Sequence, residues 1–160
     1  MIPAHLTAQT AALGIALGLV FSLVCYLTTN LSPGGMITPG WIALTLVTDV
    51  QLAGLMVVVA VLTYFTTKLL QRTVILYGKR LFAAVVLSAV LIQTTVMLAL
   101  SHEFPLLYTS QTLGFIVPGL VSYQMVRQPM AATIISTTAV TLATYVVLVS
   151  GLLIGVLPTG

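Results

Sequence analysis

Seven charged side chains cannot cover a chain of 160 residues with a water-facing surface. A soluble domain carries about 25% charged residues because its exterior must be hydrated. Here the figure is 4%, against 59% hydrophobic residues, so the solvent for most of the chain is lipid. The acids are Asp49 and Glu103, and the bases are Lys68, Arg72, Lys79, Arg80 and Arg127. The net charge of +3 does not point to nucleic acid. A phosphate-binding face needs clustered bases on an otherwise hydrated surface, whereas a few bases in an apolar chain act as topology signals.

A spanning helix needs about 20 apolar residues. Four stretches satisfy this, at residues 6–27, 52–70, 81–100 and 131–157. Only Lys68 is charged within them, and it lies near an end, where its stem can snorkel. No Lys or Arg precedes Lys68, so the first stretch is expected to be retained as a helix and not removed as a signal. Cys25 sits in the apolar run 21–26 and reads as a buried thiol.

Two further stretches, 31–47 and 107–126, are apolar and uncharged but interrupted by Pro39-Gly40 and Pro118-Gly119. Proline removes a backbone donor and glycine loosens the chain, so each stretch is a broken spanning helix or a re-entrant hairpin. The two breaks align. Residues 35–42, from Gly35 to Ile42, match residues 114–121, from Gly114 to Val121, at an offset of 118 − 39 = 79 residues. The expected fold is therefore an all-α polytopic membrane protein. It forms one transmembrane domain of two repeats, about 6–70 and 81–157, each reading helix, broken Pro-Gly helix, helix. Three crossings per repeat invert the second copy relative to the first. All five bases then share one side and both acids the other, as the positive-inside rule favours. The alternative of four helices plus two re-entrant segments puts Arg127 on the opposite side from the other bases.

No residue pattern supports catalysis or a cofactor. There is no phosphate-binding loop, the two acids are far apart, and His5 and His102 lack the spacing of metal ligands. His102-Glu103 reads as a solvated loop tip, with a proton site as the alternative. Gly14-x-x-x-Gly18 and Gly151-x-x-x-Gly155 allow close helix approach, within one chain or in a homo-oligomer, although glycine is also simply frequent in membrane helices. The connection around Tyr77, Gly78, Lys79 and Arg80 suits a positive anchor or, with Arg127, a contact for a soluble partner.

The run from Ile75 to Ala84 resembles the "ILYGRR-x-FA" stretch of the PgsC/CapC proteins. The two Pro-Gly elements resemble theirs in order and spacing, over roughly residues 18–151. Departures are Lys79, where the family often has arginine, Trp41, where tyrosine is usual, and Thr38, where valine is usual. The resemblance implies a non-catalytic membrane subunit of the bacterial machinery that makes and exports poly-γ-glutamate. It would sit in the cytoplasmic membrane beside a PgsB/CapB-like ATP-dependent amide ligase and a PgsA/CapA-like subunit. A polyanion crossing lipid needs donors, since bare carboxylates there are very costly. The helix breaks at Gly35, Pro39, Gly40, Gly114, Pro118 and Gly119 would offer free N–H groups and positive dipole ends. The same breaks could instead serve packing alone. A pure scaffold for the ligase and an independent small transporter are the rival functions.

Overall fold

The computed structural model describes residues 8–75, 77–100 and 116–154. These contain six helices and no strand: α1 (Ala8–Thr29), α2 (Thr38–Thr48), α3 (Val50–Thr73), α4 (Gly78–Leu100), α5 (Val117–Arg127) and α6 (Met130–Leu153). At 1.5 Å per residue, the four long helices measure roughly 33–36 Å and the 11-residue α2 and α5 about 16 Å, half the hydrocarbon thickness. Each of the four long helices is long and apolar enough to cross a membrane.

The Pro-Gly pairs mark where helix begins. Thr38-Pro39-Gly40 opens α2 and Val117-Pro118-Gly119 opens α5, with proline in the first turn of each. At that position its missing N–H would have had no helical acceptor anyway. The broken segments are thus half helical, and residues 30–37 approach α2 as irregular chain. That approach turns at Gly34 and Gly35, whose φ values of 63° and 104° lie in the left-handed region that glycine tolerates.

Packing fixes the direction of each half-helix. Gly40 rests on Gly18, the centre of α1, and Leu44 lies over Gly14, so α2 runs from mid-depth toward the start of α1. Gly119 rests on Ala89, the centre of α4, and the Tyr123 ring meets Phe82 edge-on at 5.2 Å, so α5 runs toward the start of α4. The single residue Asp49 joins α2 to α3, and its side chain caps α3 by accepting from Gln51 N at 2.9 Å. Helix α2 packs chiefly on α1 and α6, and α5 on α4 and α3. The two halves therefore use the same pairing, run in opposite senses.

The interior mixes small hydroxyl residues with apolar ones, while the exterior is apolar, unlike that of a soluble domain. Thr38, Thr63, Ser122, Thr133 and Thr144 are fully buried, while Phe65, Leu69, Leu87, Ile135 and Leu153 are exposed. Most buried hydroxyls are satisfied within their own helix. Thr63 donates to Val59 O at 2.7 Å, Thr137 to Thr133 O at 2.7 Å and Thr144 to Val140 O at 2.8 Å. Small polar residues thereby let helices approach closely without stranding a polar group in lipid.

Candidate functional site

Two features stand apart from this framework: the meeting of the half-helix N-termini at mid-depth, and the charged end of the bundle. At the first, Gly34 lies against Val121 of α5 and Thr137 of α6, and Gly35 lies against Leu120. The turn leading into α2 thus packs directly on the first turns of α5. Neither half-helix has a side-chain cap, since the N-cap positions are Ile37 and Ile116. In each, the first N–H to reach a carbonyl is three residues into the helix. Trp41 N donates to Ile37 O at 3.2 Å and Leu120 N to Ile116 O at 3.1 Å. The N–H groups before them give both starts a partial positive charge.

The residues at this junction differ in what surrounds them. Pro39 and Pro118 are fully buried. Gly40 is closed off by α1, where a β-carbon would meet Gly14 O at 3.0 Å, Ile15 Cα at 3.1 Å and Gly18 Cα at 3.2 Å. Gly119 is closed off by α4, where a β-carbon would lie 3.0 Å from Ala89 Cβ. Gly14 and Gly18 spend their small size inside the chain, as the seat of α2. Gly151 is half-buried near the end of α6. Gly114, Gly155, His5, His102 and Glu103 lie outside the described residues.

At the second feature, α3 ends, α4 begins and α5 ends together, which gathers the bases. Lys68, Arg72, Lys79, Arg80 and Arg127 are all exposed, as are Tyr77 and Gly78. The Arg127 guanidinium stacks over Tyr123 at 5.5 Å and Lys68 over Tyr64 at 5.8 Å. Arg127 shares this end with Lys79 and Arg80 because Tyr123 reaches Phe82. Among the described residues the one acid, Asp49, is at the opposite end. Gln128 ties this corner together: in the amide orientation that satisfies both groups, it donates to Ser32 O and accepts from Ser32 N, each at 3.2 Å.

This arrangement, two uncapped half-helices within one apolar bundle, coincides with the part of the chain that matches known proteins. The family model for capsule biosynthesis CapC matches residues 17–134, from the centre of α1 to the start of α6. The chain belongs to the CapC family. It is 29% identical over 141 residues to the PGA biosynthesis protein CapC of Bacillus subtilis (strain 168), covering 85% of this chain and 91% of that protein. It is 28% identical over 141 residues to the capsule biosynthesis protein CapC of Bacillus anthracis, with the same coverage of 85% and 91%. No solved structure matches. Both features therefore belong to a CapC-type membrane protein. Among the described residues no group of His, Cys, Asp and Glu could hold a metal ion.

Sequence reasoning noted Thr38 and Trp41 only as departures from the family pattern and passed over the other polar residues at the level of the junction. Ser22, Thr38, Trp41 and Thr141 each carry a buried polar atom without a partner. A signal for part of this set was present. On α6, Thr133, Thr137, Thr141 and Thr144 recur at helical spacing in an otherwise apolar span, which marks an inward face.

Proposed function

We propose that the chain is the non-catalytic membrane subunit of a bacterial poly-γ-glutamate machinery. It crosses the cytoplasmic membrane six times, as two inverted repeats in one domain, with its basic end inside. Through Tyr77, Gly78, Lys79, Arg80 and Arg127 it holds an ATP-dependent amide ligase of the PgsB/CapB kind, beside a PgsA/CapA-like subunit. The polymer passes the half-helix starts at mid-depth, where α2 begins at Thr38 and α5 at Val117.

One observation carries the route: two uncapped half-helices begin head to head at the centre of the bundle. A polymer with one carboxylate per residue needs donors where lipid supplies none, and helix starts provide them without a buried base. The shared position of all five bases supports the six-crossing orientation, because a re-entrant segment would place Arg127 at the other end. The glycine seats favour a second reading. Gly40 and Gly119 are occupied by packing, as a pure scaffold would also require.

The test is Pro39→Ala and Pro118→Ala, each letting the helix extend past its present start and take up the N–H groups now free there. Polymer outside the cells is measured against polymer retained within, at matched membrane levels. A route predicts that export falls while synthesis continues, with similar effects from both halves. Synthesis and export falling together, or neither changing, supports the scaffold.

A further inference from the structure

Five buried polar side-chain atoms among the described residues lack a hydrogen-bond partner: Ser22 Oγ, Thr38 Oγ1, Trp41 Nε1, Gln93 Oε1 and Thr141 Oγ1. The fold brings four of them to one level of the bundle. Thr38 and Trp41 stand three residues apart on one face of the first turn of α2. Thr38 is fully buried, and its Oγ1 lies 3.1 Å from where a β-carbon of Gly35 would be, so it faces the turn that leads into the helix. Ser22, also fully buried, is one turn past Gly18, the residue on which Gly40 rests, and so is level with the start of α2. Thr141 comes from α6. One turn before it, Thr137 touches Gly34, and one to two turns after it, Tyr145 and Leu148 pack on Ala43 and Leu44. Thr141 is therefore level with Thr38 to Gly40.

All four groups can donate, although the hydroxyls can also accept. The indole N–H can only donate. The unpaired N–H groups of α2 add further donors and a positive dipole end. A cation would face these donors unfavourably. A carboxylate, with two oxygens and about four acceptor sites, matches them. The fold itself does not demand these residues. At the start of α5, the positions matching Thr38 and Trp41 at the offset of 79 are Val117 and Leu120, and the nearby Ser122 hydroxyl is already satisfied by Ala60 O and Pro118 O, each at 2.7 Å.

We infer that the start of α2 is a carboxylate-binding position at mid-depth, formed by Ser22, Thr38, Trp41, Thr141 and the free N–H groups of the first turn. The identification of the carboxylate with a glutamate side group of the polymer rests on the function proposed above; the donor set does not.

Trp41 is the single tryptophan, so its emission reports directly on the position. The protein in lipid nanodiscs is titrated with a γ-linked glutamate tetramer and, separately, with free glutamate. The tetramer should shift the emission saturably. Thr38→Val and Thr141→Val should each raise the midpoint about tenfold or more, as expected for loss of a hydrogen bond to a charged group. Thr38→Ser should restore it, and Thr63→Val, which removes a buried hydroxyl elsewhere, should leave it unchanged. Equal midpoints for glutamate and tetramer would still support the position, as a site for single carboxylates. No saturable shift, or a shift indifferent to both Thr38→Val and Thr141→Val, overturns it and leaves the four groups to ordered water. The two proposals fail separately. A flat titration with reduced export from Pro39→Ala removes the carboxylate position and keeps the route. A positive titration with normal export from Pro39→Ala keeps the position and removes the route.

Discussion

The seat of α2 on α1 sets a steep steric requirement that a glycine-to-alanine series can measure. A β-carbon at Gly18 would overlap Gly40 Cα and lie 2.5 Å from Gly40 N. Non-bonded heavy atoms sit at about 3.5–4.0 Å, so α2 would have to withdraw by roughly 1 Å along its whole contact. Both clashing groups are backbone, and no rotamer change relieves them. Overpacking costs about 1–3 kcal/mol, and Gly18→Ala belongs at the upper end. Gly40→Ala meets three atoms between 3.0 and 3.2 Å and should cost about 1 kcal/mol. Gly54, in α3, has nothing within 4 Å of its β-carbon position. There, alanine's better helix propensity should leave stability unchanged or raise it by up to about 1 kcal/mol. Reversible unfolding of the purified variants in mixed micelles should rank them Gly54→Ala, parent, Gly40→Ala, Gly18→Ala. A Gly18→Ala protein as stable as the parent would refute the close approach of α2 to α1.

Two further outcomes follow from the basic end of the bundle. In a Cys25→Ser background, Tyr77→Cys and Met130→Cys should react with an impermeant thiol reagent only after permeabilisation, and Gln51→Cys should react on intact cells; labelling of Met130→Cys on intact cells would reject the six-crossing orientation. Lys79→Glu combined with Arg80→Glu should weaken co-purification of the ligase in protein shown to be correctly inserted, and undiminished recovery would remove these residues from the docking surface.

Much of this architecture was legible because few physical signals compete in such a sequence. The scarcity of charge dictated helices in lipid, and the four long spans differ from the sequence expectation only by a few residues at their ends. The Pro-Gly alignment revealed the duplication because it lies where both halves keep the same motif. The outer helices concealed it. Gly18 and Ala89 are equivalent seats for Gly40 and Gly119, yet their offset is 89 − 18 = 71 residues, not 79. The connection from α4 to α5 is longer than that from α1 to α2, and a single shift cannot align both parts. The position of proline within the segments was also obscured. A proline inside an apolar run reads as a break, and only the irregular chain of residues 30–37 shows that helix starts there. The carboxylate position was invisible because serine and threonine inside membrane helices usually bond to their own backbone. Whether a given hydroxyl does so depends on its surroundings, as Thr63 and Thr38 show.

At the offset of 71, the buried positions 10, 14, 18 and 22 of α1 correspond to 81, 85, 89 and 93 of α4, and all eight are buried. The face that each outer helix turns inward is therefore duplicated position by position, but its chemistry is not. Gly14 and Gly18 correspond to Val85 and Ala89, so α2 approaches its partner more closely than α5 does. Ser22 corresponds to Gln93, and both carry an unpartnered polar atom at the level where a half-helix begins. Glutamine reaches farther than serine, and the atom it leaves unpartnered is an amide oxygen, which accepts, whereas the groups around α2 are able to donate. A duplicated fold fixes where the half-helices start. On the proposed reading, the unequal residues around those starts let one end hold an anion while the other does not, and a route for a polyanion needs such a difference. Equal binding at every point would hold the polymer still, so a strong position has to be followed by a weaker one.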